Sequence, residues 1–274
     1  MKFRSLSLLL LALFTLVASP ARVLALTDAE ATAGRALVKR YADTIVHVEL
    51  VVTIKMTMGE RTMPPREQKR EVNGTVISST GLTVISLGEI DPRAAIAAQP
   101  NVRMEDPDYK EVKLRLADGS EIPASIVLKD PDQDLAFVVP LGPPGRTFSF
   151  VKLEDAAEPT LLATYYNIAR TSKQQQRTPL VIPLAVVGLI EKPRRLILAN
   201  SYAVSCPVFD AEGKVLGICL RNISGGQQAG IVIVPAADIA DIAKQAAAIK
   251  PESPAEAVPD IPVKPAAPAA EKAP

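Results

Sequence analysis

Short β-branched runs alternate along this chain with brief polar or Gly- and Pro-containing breaks. Thr44 to Ile54 (TIVHVELVVTI) shows the pattern most clearly, since its branched side chains favour extended backbone. The same signal predicts strands over 71–77, 82–87, 112–116, 121–128, 135–139, 161–166, 181–190, 196–199, 207–209, 215–220 and 230–234. Ser78-Ser79-Thr80-Gly81 and Ala117-Asp118-Gly119 read as the turns of two hairpins. Residues 57–70, with Pro64-Pro65, read as a polar loop, as does 171–178. Residues 91–109, with Pro92, Pro100 and Pro107, read as a long insertion. Helical patterns occur only at the two ends. Thr27-Asp28-Ala29-Glu30 has the form of a capping box opening a helix to about Tyr41, with Ala33, Leu37 and Tyr41 on one face. Residues 235–249 (PAADIADIAKQAAAI) form the second, with Pro235 in its first turn and Ile239, Ile242 and Ala246 aligned. Many short strands with terminal helices point to a barrel or a sandwich.

The flanking segments differ from this body. In residues 1–25, Lys2 and Arg4 precede an apolar run from Leu6 to Val17 and then small residues. That order predicts a secretory leader cleaved after Ala21 or Ala25, its apolar run being short for a membrane span. From Lys250 the chain is mostly Pro, Ala, Glu and Lys, without an aromatic residue. Such a segment buries too little apolar area to offset its ordering entropy, so 250–274 is expected to be disordered. Gly142-Pro143-Pro144-Gly145 marks a break in the middle. The expected division is a leader at 1–25, a helix within 26–43, β units at 44–141 and 146–249, and a tail. The formal net charge of +1 loses three positive charges with residues 1–25 and becomes −2. A near-neutral chain gives no electrostatic case for nucleic acid. Trp is absent and aromatics are 4 %, so the core must be aliphatic.

Candidate chemistry concentrates in Ser201 to Arg221 (SYAVSCPVFDAEGKVLGICLR), which holds both cysteines. Asp210-Ala211-Glu212-Gly213 between apolar runs predicts a hairpin. Pairing Val208 with Val215 sets Cys206 opposite Gly217 and diagonal to Cys219. Three readings stay open for the cysteines: a disulfide favoured by an oxidising compartment, two buried thiols, or a nucleophile at Cys206. The single histidine, His47, lies inside the first strand and reads as a strand residue facing solvent or making a local hydrogen bond. One His and two widely spaced Cys do not make a zinc site, and no glycine-rich phosphate loop is present. No metal and no cofactor are expected.

The 201–221 stretch resembles the Gly-Asn-Ser-Gly-Gly-Pro-Leu hairpin of trypsin-like serine peptidases, closest to the HtrA/Deg branch. Pro207, Gly213 and Gly217 carry the likeness. Asn73 to Leu87 (NGTVISSTGLTVISL), Leu116 to Val139 (LADGSEIPASIVLKDPDQDLAFVV), Val186 to Ile190 and Gly230 to Ile239 (GIVIVPAADI) are similar to further segments of that family, in order. The resemblance implies an all-β fold of two six-stranded antiparallel barrels with a cleft between them, and a helix at each end. It also gives the triad positions. The aspartate falls on Asp134, the histidine on Gly88 and the serine on Val204. The glycines flanking the serine become Tyr202, Ser205 and Cys206.

Acyl transfer by serine needs a base in reach and donors aimed at the oxyanion. With Gly88 and Val204 in place of base and nucleophile, the resemblance implies an exported homologue that no longer cleaves and acts by binding a peptide or protein. The alternatives are an active endopeptidase using Ser205 with Asp134, and a structural module of the envelope or secreted fraction. Asp134 also has a plain reading, as the turn residue of Asp130-Pro131-Asp132-Gln133-Asp134.

Overall fold

The structure, a computed structural model, describes residues 26–251 except 97, 98, 100, 143, 144, 225 and 226. The leader at 1–25 and all but the first two residues of the predicted tail lie outside the described residues.

Helix α1 (Asp28–Tyr41) opens with the capping box: Thr27 Oγ1 accepts from the Glu30 amide, and the Glu30 carboxylate accepts from the Thr27 amide at 2.8 Å. Its buried residues are Gly34, Leu37 and Tyr41. A single 3₁₀ turn then leads into β1 (Ile45–Ile54). In chain order follow β2 (Met56–Met58), β3 (Arg61–Thr62), β4 (Arg66–Val76), β5 (Thr83–Ser86), α2 (Leu87–Ile90), α3 (Arg93–Ile96), β6 (Val102–Met104), β7 (Asp108–Arg115), β8 (Glu121–Asp130) and β9 (Leu135–Pro140). Six of these close a barrel in the order β1-β4-β5-β9-β8-β7. The second half contains β10 (Thr164–Arg170), β11 (Pro179–Ile190), β12 (Leu196–Ala199), β13 (Pro207–Phe209), β14 (Val215–Ser224) and β15 (Gln227–Pro235). These close a second barrel, β10-β11-β12-β15-β14-β13, and α4 (Ala236–Ala248) follows. The expected all-β architecture of two six-stranded antiparallel barrels with terminal helices is the one observed.

Each barrel fills its own apolar cluster, and a third cluster joins them. That third one takes Val84, Leu135 and Phe137 from the first barrel and Phe209, Ile218 and Leu220 from the second. Leu37 of α1 and Ile239 of α4 complete it. The two terminal helices therefore stabilise the junction by covering apolar area, at roughly 25 cal/mol per Å2. Tyr41 stacks on Phe209 with ring centroids 4.1 Å apart, and its hydroxyl donates to the Gly213 carbonyl at 2.8 Å.

Two segments depart from the sequence reading. Residues 57–70 are not a loop. They hold part of β2, all of β3 and the outer half of β4, and β2 pairs with β6 from the 91–109 insertion in a sheet ordered β3-β2-β6. The outer half of β4 pairs with β1 while exposed to water, so its polar side chains hide the period-two signal. The hairpin register also differs: Val208 faces Gly217 and Phe209 faces Val215, with a bulge between. That shift brings Cys219 opposite Cys206, and the Cys219 amide donates to the Cys206 carbonyl at 3.0 Å. Both cysteines are buried free thiols rather than a disulfide.

Gly217 is required by space. A Cβ there would lie 2.1 Å from the Val234 carbonyl oxygen. Gly217→Ala is therefore expected to destabilise by more than about 2 kcal/mol, against about 1 kcal/mol for loss of the cap in Thr27→Ala. Urea unfolding of both variants checks the order; equal effects would contradict the packing of β14 on β15.

Candidate functional site

The site forms where the first barrel's β5–α2 junction and the β9 entrance meet the β13–β14 hairpin of the second. Asp134 is at its centre, 1 % exposed and held at a φ of 58°. Its Oδ1 accepts from the Gly88 amide at 2.6 Å, and its Oδ2 from the Arg221 amide at 2.7 Å. The Ser86 hydroxyl donates to Oδ2 as well. One carboxylate thus ties three elements from two barrels. Burial pushes the Asp134 carboxyl up to about 6, against the opposing pull of these donors. Asp134 does end the expected turn, in the left-handed region, but the turn's amides are bonded by Asp130, whose Oδ1 accepts from the Asp132 and Gln133 amides at 3.0 Å each.

Gly88 stands where the resemblance puts the histidine, and that space is crowded. A Cβ on Gly88 would lie 3.0 Å from Arg221 Cδ and 3.0 Å from Asp134 Oδ1. The Arg221 side chain therefore packs over the bare glycine. Its Nε is buried without a hydrogen-bond partner among the described groups.

Ser205 is fully buried and has φ 62°, the left-handed region that disfavours a residue with a Cβ. The cause is a bulge. The Ser205 amide donates to the Cys219 carbonyl at 2.7 Å while the Cys219 amide bonds Cys206, so two residues oppose one. The extra residue turns the Ser205 side chain into the barrel junction. Its Oγ donates to Glu89 Oε2 at 2.6 Å and accepts from the Ser86 amide at 2.8 Å. Its carbonyl accepts from Thr75 Oγ1 at 2.7 Å. Burial raises the Glu89 carboxyl above the usual range, with Ser205 and Arg221 opposing. Val204, one residue earlier, is half-buried, and Tyr202 is exposed.

The structure thus brings together Asp134, Gly88 and Ser205 from the sequence candidates. It adds Ser86, Glu89 and Arg221, which the sequence reading gave no role. Glu89 could have been noticed as the carboxylate next to Gly88; nothing in the sequence marks Arg221. Cys206 and Cys219 sit beneath the same bulge, and burial raises both thiols well above their ordinary range, which leaves them unreactive. His47 lies apart and does not face solvent. It is buried in β1, and its Nε2 lies 3.0 Å from the carbonyl of Thr171, in the other barrel. Among the described residues no cluster of His, Cys, Asp or Glu could hold a metal ion.

Chemically the constellation is one buried carboxylate, Asp134, and one half-buried carboxylate, Glu89, each holding a serine hydroxyl, beside a guanidinium. It contains no imidazole. A carboxylate can accept the Ser205 proton, and the Ser205 hydroxyl that would give it is buried.

No family model matches this sequence, and no curated protein sequence matches it. Solved structures do. The crystal structure of Deg5 superposes with a TM-score of 0.52 at 19% identity, covering 79% of this chain and 94% of that one. The MamO protease domain from Magnetospirillum magneticum aligns over 74% of this chain and 97% of that one, at 15% identity and a TM-score of 0.45. Two closed six-stranded antiparallel barrels with a junction between them, together with the Deg5 superposition, define a trypsin-like serine peptidase fold of the HtrA/Deg type.

The raised Asp134 carboxyl has a consequence with a definite sign. Its folded value of about 6 exceeds the ordinary 3.8, so the folded state holds the proton longer than the unfolded chain. The stabilisation is fully present below the ordinary value and is lost as pH rises through about 6. It amounts to about 3 kcal/mol at most. Unfolding free energies of wild type and Asp134→Asn, measured from pH 4 to 7, should therefore converge or cross as pH rises. Parallel curves would remove the claim.

Proposed function

We propose that this protein is an exported, trypsin-like pseudopeptidase: it does not cleave, and it acts by binding a peptide or protein. The carrying observation is the bare, crowded histidine position: Gly88 has no side chain, and Arg221 Cδ would lie 3.0 Å from a Cβ built there. Three further features support the reading. The one histidine of the chain, His47, is committed to the Thr171 carbonyl. The Ser205 hydroxyl is buried and bonded on both sides. Tyr202 and Cys206 stand where the resemblance has the glycines of the oxyanion loop, and oxyanion donors depend on that backbone. Export draws on the leader pattern of residues 1–25; no helix of the described residues is long and apolar enough to cross a membrane.

A second reading, a serine endopeptidase working through Ser205, draws on the 2.6 Å bond from Ser205 Oγ to Glu89, with Asp134 close by. A fluorophosphonate probe separates the two. The expected result is no labelling of the purified chain between pH 4 and 8, and no cleavage of unfolded casein. Labelling that maps to Ser205 and disappears in Ser205→Ala would establish the enzyme instead. The double variant Gly88→His with Val204→Ser is expected to stay inactive, because Arg221 crowds the position from which the imidazole would extend. Adding Arg221→Ala opens that place and is the variant in which weak labelling at residue 204 should first be seen.

A further inference from the structure

The first barrel is closed, but one of its seams is paired over only part of its length. β7 and β8 form a hairpin, yet their ladder has only three register pairs, from Lys113–Pro123 to Arg115–Glu121. Beyond Pro123 the two strands part. β8 continues to pair with β9 on its other side, and β7 with β1. A break in β7 marks the parting: Glu111 has φ 50°, and the β1–β7 register shifts between Glu49 and Val51. Pro123, with no amide hydrogen, stands at the fork.

The gap is a groove of about 780 Å3. Residues 108–113 of β7 and 123–126 of β8 line it without interruption. A strand's face presents only every second residue, so a lining of consecutive residues means that the strand edges themselves border the groove. Two backbone edges therefore face each other, and no ladder pair among the described residues joins 108–112 to 124–130. The inward side is apolar, with Tyr109, Val112 and Ile126 packed on the first barrel's core. Tyr109 has a buried hydroxyl with no partner among the described groups. At the rim the Lys129 ammonium lies over the Tyr109 ring, 5.0 Å from its centroid, and takes part in no ion pair of the described residues, whereas Lys113 is paired with Glu121.

We infer that this seam is a binding site for one extended peptide segment of a partner protein, which enters between β7 and β8 as an added strand and presents an acidic side chain to Lys129. Only an extended chain can satisfy donors and acceptors on both edges at once, and strand addition recognises backbone in this way. Apolar side chains at alternate positions would turn inward onto Tyr109 and Ile126, and the positions between them would face the lysine at the rim. The inference rests on the binding reading above and moves the ligand away from the old cleft.

The probe is a fluorescein-labelled hexapeptide of alternating Val and Glu, titrated against the full chain by fluorescence anisotropy. Saturable binding is expected, weakened about ten-fold or more by Lys129→Glu, since reversing a rim charge sets like charges together. Substituting Lys for Glu in the peptide should weaken binding likewise and restore it toward the Lys129→Glu variant. A peptide methylated on alternate amides should not bind. Val204→Trp, in the old cleft, should change nothing. Hydrogen exchange should slow at 108–112 and 124–127 when peptide is added. The inference is overturned by no binding up to about 1 mM, by equal binding of the methylated peptide, or by sensitivity to Val204→Trp instead of Lys129→Glu. In the first case Pro123 and the lysines only guard an open edge. Fluorophosphonate labelling would overturn the pseudopeptidase reading while leaving these outcomes intact, so the two fail separately.

Discussion

A single buried carboxylate organises the junction of this protein. Asp134 accepts from the Gly88 and Arg221 amides and from the Ser86 hydroxyl, so the β5–α2 corner, the β9 entrance and β14 converge on one side chain. A carboxylate removed from water is unfavourable unless its oxygens are satisfied. Three donors from two barrels supply that satisfaction, and only one mutual placement of the barrels provides all three. The apolar cluster shared by both barrels contributes attraction without direction; Asp134 adds the register.

The surroundings of Asp134 are packed by side chains from both barrels. One extra residue in the β13–β14 hairpin turns Ser205 inward, where its hydroxyl joins Glu89 to the Ser86 amide. Arg221 lies over Gly88, in space that a larger residue at 88 would need. Both side chains make contacts between the barrels. On another part of the junction, Arg170 donates to the Ala42 and Ile45 carbonyls, and Arg177 pairs with Glu49 and Glu71. Buried guanidinium contacts to backbone carbonyls are directional and shielded from salt, so they hold the barrels in a way surface pairs do not. The loop at 171–178, read from sequence only as polar, is polar because it supplies this interface: Thr171 meets His47, and Arg177 reaches β1 and β4.

Short apolar runs bounded by turn residues could be read from the sequence as strands. Leu196–Ala199 and Pro207–Phe209 fall where their patterns predict, and the capping box at Thr27 starts α1 as expected. The outer half of β4 could not be read, because both its faces are wet and alternation vanishes. The Val208–Gly217 pairing was also out of reach, since a bulge shifts register without changing composition. At the site, Asp134 and Gly88 were legible through the resemblance, but Glu89 and Arg221 were not. Nothing local to Arg221 signals that it packs on a glycine 133 positions earlier in the chain.

The sequence by itself determined a body of many short strands with terminal helices, because apolar runs of that length and spacing are buried by sheets packed or closed on one another. It determined too that a single imidazole, in the first strand, serves the whole chain. Tertiary structure alone decided that Ser205 is buried, that Arg221 packs on Gly88, and that β7 and β8 part beyond Pro123. Those outcomes depend on which atoms from distant segments compete for one volume or one hydrogen bond, and such competition exists only once the two barrels are packed.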